Sequence, residues 1–394
     1  MRSILMPRIP HQPWFTPILG MALLTLGTGF YTTLTSLTLA LQGFSELWIG
    51  LISGAYYFGL LIGAYASQFL TMRWGLVRAY GFFTAMLISA ILLQSLWLNP
   101  YAWALWRMIA GYDLAALFII IESWLVTGSA SSTRGRVLGF YLFIYYIASS
   151  FSQLFLRVHT LSLMTLLEVI ALLCALSILP ISYGQVEAPK IPPKSFLSLS
   201  KLWKLSAFGL LISTLSGALL SILYSLFPVY LLEIHCTQSH VAALMLFMIL
   251  SGALCQTPIG WLADRMHRPL LIFLLMIITA LISLGALWLP HDFFTLVLIS
   301  LILGASTFAL YPVSINHVSK SIHPDMTLSA MSMLSVFYSA GAVIGPLIMG
   351  VLLSVFGPSL FFESIGILMV ILCVLFCCSG ISKKIKKQVD FKIK

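Results

Sequence analysis

The stretch GYDLAALFIIIESWL, residues 111–125, decides how the rest of the chain is read. It is apolar enough to sit in lipid, yet it holds Asp113 and Glu122, with Arg107 just upstream. A charged side chain at the centre of a bilayer costs about 3 kcal/mol or more. A membrane helix with two acids must therefore have a use for them. Composition shows that it is a membrane helix. The 394 residues are 60% apolar and 8% charged, with a mean hydropathy of +1.04. A soluble domain is about a quarter charged. So few charges could not cover such a core in water, so lipid is the solvent.

The formal net charge of +10 does not indicate nucleic acid. The basic residues punctuate apolar segments instead of forming one face, and no nucleic-acid-binding motif is present. The six cysteines form no CxxC pair and no Cys/His cluster with zinc spacing, so they read as small packing residues. No metal or cofactor is expected. The N-terminal run from near Thr16 to about Leu41 is too long for a cleaved signal core and reads as an uncleaved first span.

A bilayer core takes about 20 apolar residues per helix. Such runs lie near 16–42, 47–70, 77–98, 100–127, 135–157, 161–181, 205–232, 240–262, 269–289, 293–317, 327–356 and 358–380, about twelve in all. Short loops rich in Lys and Arg stay in the cytoplasm. Arg2, Arg8, Arg73, Arg78, Arg134, Arg136, Lys190, Lys194, Lys201, Lys204, Arg265, Arg268, Lys320 and the KKIKK tail all fall on one side, with Arg107 and Arg157 the exceptions. Glu46, Glu233 and Asp292 occupy the opposite loops. Both termini are therefore expected in the cytoplasm of a multi-pass protein of the cell membrane, with the bacterial inner membrane as the expected location. One long polar interruption, YGQVEAPKIPPKSFLSLSKLWK at 183–204, divides the chain. The expected domains are a six-helix bundle over 1–182, a cytoplasmic linker over 183–204, a second bundle over 205–382 and a basic tail over 383–394. The fold class is an all-α integral membrane protein in two six-helix bundles.

Such an arrangement invites a search for repetition between the halves. The connection after the second span ends TMRWGLVR, residues 71–78, and the one after the eighth reads GWLADRMHR, residues 260–268. The latter resembles the Major Facilitator Superfamily signature G-x-L-A-D-R-x-G-R-R through Gly260, Leu262, Ala263, Asp264, Arg265 and Arg268. The first copy keeps Arg73, Gly75 and Arg78 but has Met72 where the aspartate should be. Arg107, Gly111 and Ala115 resemble the superfamily's fourth-helix motif. IESWL (121–125), RGRVLGFYLFIYY (134–146), CQTPIGWLAD (255–264), FALYPVS (308–314) and GAVIGPLIMG (341–350) resemble a narrower branch, the poorly characterised YcaD-like permeases.

The resemblance implies a pseudo-two-fold pair of bundles and a latch made by Asp264, Arg265 and Arg268 that reforms as the halves rock. A helix-end aspartate can accept hydrogen bonds from a neighbouring helix start and pair with arginines. With Met72 in the first half, the latch is expected to be lopsided. Gly50/Gly54 and Gly59/Gly63 in the second span, and Gly341/Gly345 followed by Pro346 in the eleventh, let backbones approach. The resemblance implies that these two helices face each other across the halves.

From Arg107 at about 100° per residue, Gly111, Phe118 and Glu122 fall within about 60° of one stripe, and Asp113 lies about 120° away. Arg107 and Glu122 are about 22 Å apart along the axis, so each needs its own partner or water. Either Glu122 or Asp113 is expected to carry a proton or ion, with Arg107 as a substrate or gating charge. The other reading is that each acid merely fixes packing, and Glu122 could also reach Arg134 or Arg136 near the interface. Arg157 and Glu168 are expected to pair. By resemblance, every third helix lines the path. Thr28 and Thr32 in the first span, Tyr224 in the seventh, and Tyr311 and Asn316 in the tenth are candidates there. Pro228 and Pro312 are expected to bend the seventh and tenth spans.

The expected function is secondary active transport of a small-molecule substrate by alternating access, coupled to protons, with import and export both open and an anionic or amphiphilic solute in view. The partners are that solute, protons and the lipid bilayer, with the chain a monomer. No P-loop is present, and neither HExxH nor a nucleophile–base pair points to an enzyme. A non-transporting sensor of the same shape is the alternative.

Overall fold

The computed structural model describes residues 14–129, 133–158, 161–182, 199–319 and 327–378, the side chains of 199–205 and 327–329 excepted. Arg2, Arg8, Lys190, Lys194, Lys320 and the basic tail lie outside the described residues, as does the expected linker up to residue 198. From Leu199 the chain is already helical, with a kink at Ser206 (φ −156°, ψ 60°).

Twelve helices are long and apolar enough to cross a membrane among the described residues. They are α1 (Phe15–Leu41), α2 (Glu46–Trp74), α3 (Leu76–Leu96), α4 (Pro100–Thr127), α5 (Arg134–Arg157) and α6 (Leu163–Ser182) in the first half. The second half holds α7 (Ser206–Ser225), α8 (Gln238–Arg265), α9 (Arg268–Gly285), α10 (Phe293–Ser319), α11 (Ala330–Phe356) and α12 (Leu360–Cys378). The fold is that of an all-α integral membrane protein in two six-helix bundles. Rows such as Ile367, Val370, Ile371, Val374 and Leu375 on α12 stay exposed, the face that lipid covers.

Several ends are set by local chemistry. Asn99 caps α4 through the N–H groups of Tyr101 and Ala102, at 3.0 and 3.1 Å. Asp292 caps α10 by accepting from the Thr295 hydroxyl at 2.8 Å and its N–H at 3.1 Å, and those bonds hold its carboxyl below the usual carboxylate range. Gly75 joins α2 to α3 at φ +79°, a left-handed conformation that strains any residue with a Cβ.

Three spans are broken, the first and tenth near their middle and the seventh about two turns from its acidic-end terminus. The expected bends appear as breaks at Leu226, just before Phe227–Glu233 with Pro228 in its first turn, and at Ala309, just before Leu310–Ser319 with Pro312 in its first turn. The third break, at Gly29–Phe30 in α1, has no proline to announce it.

Glycines show the repeat as packing. Gly111 of α4 lies against the Tyr56 carbonyl of α2, and Gly304 of α10 lies in the same way against the Met248 carbonyl of α8. Gly59 and Gly63 face Met108 and Tyr112 of α4, while Gly341 and Gly345 face Thr214 and Ala218 of α7. These four glycines therefore pack helices within each half, while α2 and α11 face each other across the halves as expected. Gly50 and Gly54 do join them, against Pro346, Val343 and Leu347 of α11.

The loops define an acidic end, with Glu46, Glu233 and Asp292, and a basic end, with Arg73, Arg78, Arg134, Arg136, Arg265 and Arg268. Contacts between the halves gather toward the acidic end. Gly350 meets the Glu46 carbonyl there, and Arg157 Nε donates to Ser239 Oγ at 3.0 Å. That bond takes the place of the expected Arg157–Glu168 pair, and Glu168 stays exposed. Arg157 closes the short 3-10 turn Gln153–Arg157 that ends α5, and Ser239 lies in the first turn of α8.

Candidate functional site

The break in α1 shapes the centre of the molecule. Gly29 N–H bonds the Thr25 carbonyl at 2.7 Å, and Gln153 Nε2 of α5 donates to the Gly29 carbonyl at 2.9 Å. A Cβ at position 29 would strike Ser152 and Ser149 of α5, so only glycine lets the two helices close here.

Beside this junction, between the halves, lies a cavity of about 260 Å³. Its hydroxyl wall comes from Thr25, Thr28 and Thr32 of α1, with Ser149 of α5 and Ser339 of α11. Its aromatic wall is Tyr56 and Tyr57 of α2, Phe118 of α4, Tyr145 of α5, Tyr224 of α7 and Tyr338 of α11. No charged side chain lines it.

Of the expected path residues, Thr28, Thr32 and Tyr224 are in this wall. Tyr311 and Asn316 are not, and α10 contributes nothing to the cavity. Tyr311 packs behind Tyr338 at a centroid distance of 4.7 Å, and Ser314 bonds its own helix at the Tyr311 carbonyl, at 2.8 Å. Helix hydroxyls satisfied in this way carry no information about which face meets a cavity. Asn316 lines a second cavity of about 140 Å³ between α8 and α10, with Gln256, Gly260 and Pro312.

Arg107 stands directly behind the cavity wall and is fully buried. Its guanidinium lies over the Tyr31 ring at 4.1 Å and the Tyr56 ring at 4.0 Å, and one amino group donates to Thr32 Oγ1 at 2.8 Å. Nε and the other amino group have no partner. Two desolvated ring contacts contribute about 2 kcal/mol each. A hydrogen bond to a charged group adds about 1.5–3 kcal/mol. Against this stands a burial penalty of several kcal/mol for an unpaired ion. The site is nearly balanced but has no counterion among the described residues. Tyr31 is fixed in turn by its hydroxyl, which donates to Gln94 Oε1 at 2.5 Å.

The acids lie apart from this centre. Asp113 is buried inside the first half with Oδ2 unpartnered, and it does not reach the cavity. Glu122, one turn beyond Phe118 toward the basic end, is exposed and accepts from the Tyr141 hydroxyl at 3.2 Å. That position is neither of the arginine contacts considered from sequence.

At the basic end, Asp264 and Arg268 approach to 3.8 Å, with the Asp264 side chain 66% exposed. Arg268 Nε donates to Asn316 Oδ1 at 2.9 Å, and Asn316 Nδ2 reaches Asp264 Oδ1 at 3.5 Å. Arg265 instead covers the Trp261 ring at 3.5 Å. Among the described residues the three latch candidates thus contact groups of their own half, and Asn316 belongs to this cluster. In the first copy Arg73 and Arg78 are exposed.

Sequence reasoning missed Tyr56, Tyr57, Tyr145, Tyr338 and Gln153. A signal was available in the doublets Tyr56–Tyr57 and Tyr145–Tyr146, each deep within a span. Gln94 and Gln153, amides within apolar helices, were a second signal.

The model of the Major Facilitator Superfamily matches residues 18–326 and, separately, residues 210–389. The chain is 28% identical over 357 residues to an uncharacterized MFS-type transporter, YcaD, of Escherichia fergusonii, covering 90% of this chain and 92% of that one. The Escherichia coli protein of the same name is also 28% identical, over 361 residues. Among solved structures, the nucleoside transporter NupG aligns with a TM-score of 0.80 at 15% identity, over 93% of this chain and 99% of that one. The D-xylose-proton symporter aligns with a TM-score of 0.72 at 12% identity, over 92% and 96%. At such identities the likeness concerns the fold.

Proposed function

This chain belongs to the Major Facilitator Superfamily and is a membrane transporter of small molecules, not an enzyme, and from that premise we propose that it is a secondary active carrier working by alternating access. The carrying observation is the cavity itself, built from both halves at mid-depth and sealed toward the acidic end by Gly50 and Gly54 against Pro346 and Leu347. On the positive-inside rule the basic end and both termini would lie in the cytoplasm, and contacts between the halves toward the acidic end are consistent with an inward-facing state.

Proton coupling is the second part of the reading. Glu122 is its carrier: it is exposed on the basic side of the cavity and has a single phenolic donor, Tyr141. Asp113, buried without a partner for Oδ2, is the alternative relay within the first half. The D-xylose-proton symporter couples to protons on the same fold. Arg107, Thr28, Thr32 and Tyr224 belong to the solute site, and Asp264, Arg265, Arg268 and Asn316 to the basic-end latch. In this reading the chain acts as a monomer.

The test is solute counterflow in proteoliposomes across a metabolite library, followed by uptake driven by an imposed pH gradient. Glu122→Gln is expected to abolish gradient-driven uptake while sparing counterflow, which needs no net proton movement. Unchanged gradient-driven uptake in both Glu122→Gln and Asp113→Asn would refute the coupling assignment. Absence of counterflow by any solute would refute the carrier.

A further inference from the structure

We propose that the cavity selects a small aromatic monocarboxylate, its carboxylate received by the Thr32 hydroxyl under the influence of Arg107. This rests on the cavity being the transport site and adds the class of solute.

The charge argument comes first. Arg107 is buried with two unpartnered nitrogens and no carboxylate in ion-pair reach among the described residues. No acidic side chain lines the neighbouring cavity, so a cationic solute would meet uncompensated like charge. An anion would meet the opposite sign in a low-dielectric setting, where that interaction is strongest. A single negative charge matches the one guanidinium of Arg107, whereas a dianion would leave a net charge in the membrane centre.

Thr32 supplies the contact. Unlike Thr28, Thr35 and Thr38, which each donate to the carbonyl four residues earlier, Thr32 makes no such bond. It accepts from Arg107 at 2.8 Å and lies in the cavity wall, so its own proton remains available to a solute. A hydroxyl polarised by a guanidinium is a stronger donor, and a carboxylate is the acceptor that gains most from it.

The body of the solute follows from the remaining wall. Tyr57, Phe118, Tyr145, Tyr224 and Tyr338 line the space with aromatic side chains. A flat ring meets such a surface by stacking or edge-to-face contact, worth about 0.5–1.5 kcal/mol per pair beyond area burial. The volume of about 260 Å³ accommodates one small ring system.

The probes are benzoate, its neutral isostere benzamide, benzylammonium and acetate, titrated calorimetrically into purified full-length protein in detergent at neutral pH. Benzoate is expected to bind, with benzamide and acetate each weaker by about tenfold or more and benzylammonium silent. Thr32→Val, nearly isosteric, is expected to weaken benzoate by about ten- to a hundredfold while leaving the elution profile and helicity unchanged. Arg107→Gln should do the same and Arg107→Lys should recover part of the loss. The Thr32 variant and the isostere comparison keep the test decisive if Arg107→Gln does not fold. Benzamide binding as tightly as benzoate, benzylammonium binding, no benzoate binding, or indifference to Thr32→Val would each overturn the proposal. Counterflow of other solutes without benzoate binding would sink the solute class alone, and benzoate binding without counterflow of any solute would sink the carrier reading alone.

Discussion

Arg107 is held by partners that are themselves held, and this gives its surroundings a measurable cooperativity. Tyr31 stacks on the guanidinium and donates to Gln94, which is fully buried and also reaches Thr35 Oγ1 at 3.5 Å. Tyr31→Phe keeps the ring over Arg107 but leaves Gln94 Oε1 without its donor in a dry interior. Orphaning a buried acceptor costs about 1–3 kcal/mol, whereas removing both polar partners together is nearly neutral. Thermal unfolding in detergent should therefore show Tyr31→Phe less stable than the parent, and Tyr31→Phe/Gln94→Leu more stable than the single variant. A double variant as unstable as the sum of the two singles would mean that the two residues do not act as a unit.

At the scale of the helix, close approach of backbones decides which glycines matter. A Cβ on Gly59 would collide with the Met108 carbonyl of α4, and backbone cannot rotate away as a side chain can. Gly81 of α3 has open space around it. Gly59→Ala should lower the melting temperature, while Gly81→Ala should be neutral or raise it, since alanine gains about 0.5–1 kcal/mol over glycine in a helix. Equal behaviour of the two variants would show that α2 and α4 tolerate separation.

The same physics explains what was legible in the sequence. The spans, the two-half division and the breaks near Pro228 and Pro312 follow from hydropathy and from a missing N–H, both local properties. The break at Gly29 depends on Gln153, well over a hundred residues away, and no local pattern encodes it. Small-residue spacing showed that α2 and α11 pack closely but not against which neighbour, because each helix has small residues on more than one face. The α10 candidates fell elsewhere, Tyr311 behind Tyr338 and Asn316 on Arg268 at the basic end. The tyrosine doublets held the information that the hydroxyls lacked.

For the whole molecule, the decisive contact is the one that lets the acidic end close. Gly50 lies against the Pro346 carbonyl, and Gly350 lies against the Glu46 carbonyl, so the ends of α2 and α11 meet backbone to backbone. Each half has its own helix packing, with Gly111 and Gly304 in equivalent places, so a rigid rocking motion needs to break only contacts between halves. Gly50→Val puts branched carbons where Pro346 must sit, and closure then requires the helices to part. The variant should fold, because no contact within the first half is altered, but its equilibrium should move toward a state open at the acidic end. Spin labels on exposed positions Gln42 and Trp288, both at the acidic end, report that opening as a longer distance by pulsed electron resonance. A shift from mostly closed to mostly open requires several kcal/mol of differential strain, about 5 kcal/mol for a full reversal. A branched side chain forced against backbone costs about 1–3 kcal/mol, so a partial shift with both distances populated is the expected result. An unchanged distance distribution in a folded Gly50→Val protein would mean that this glycine contact does not govern closure, and that the Arg157–Ser239 bond or another contact does.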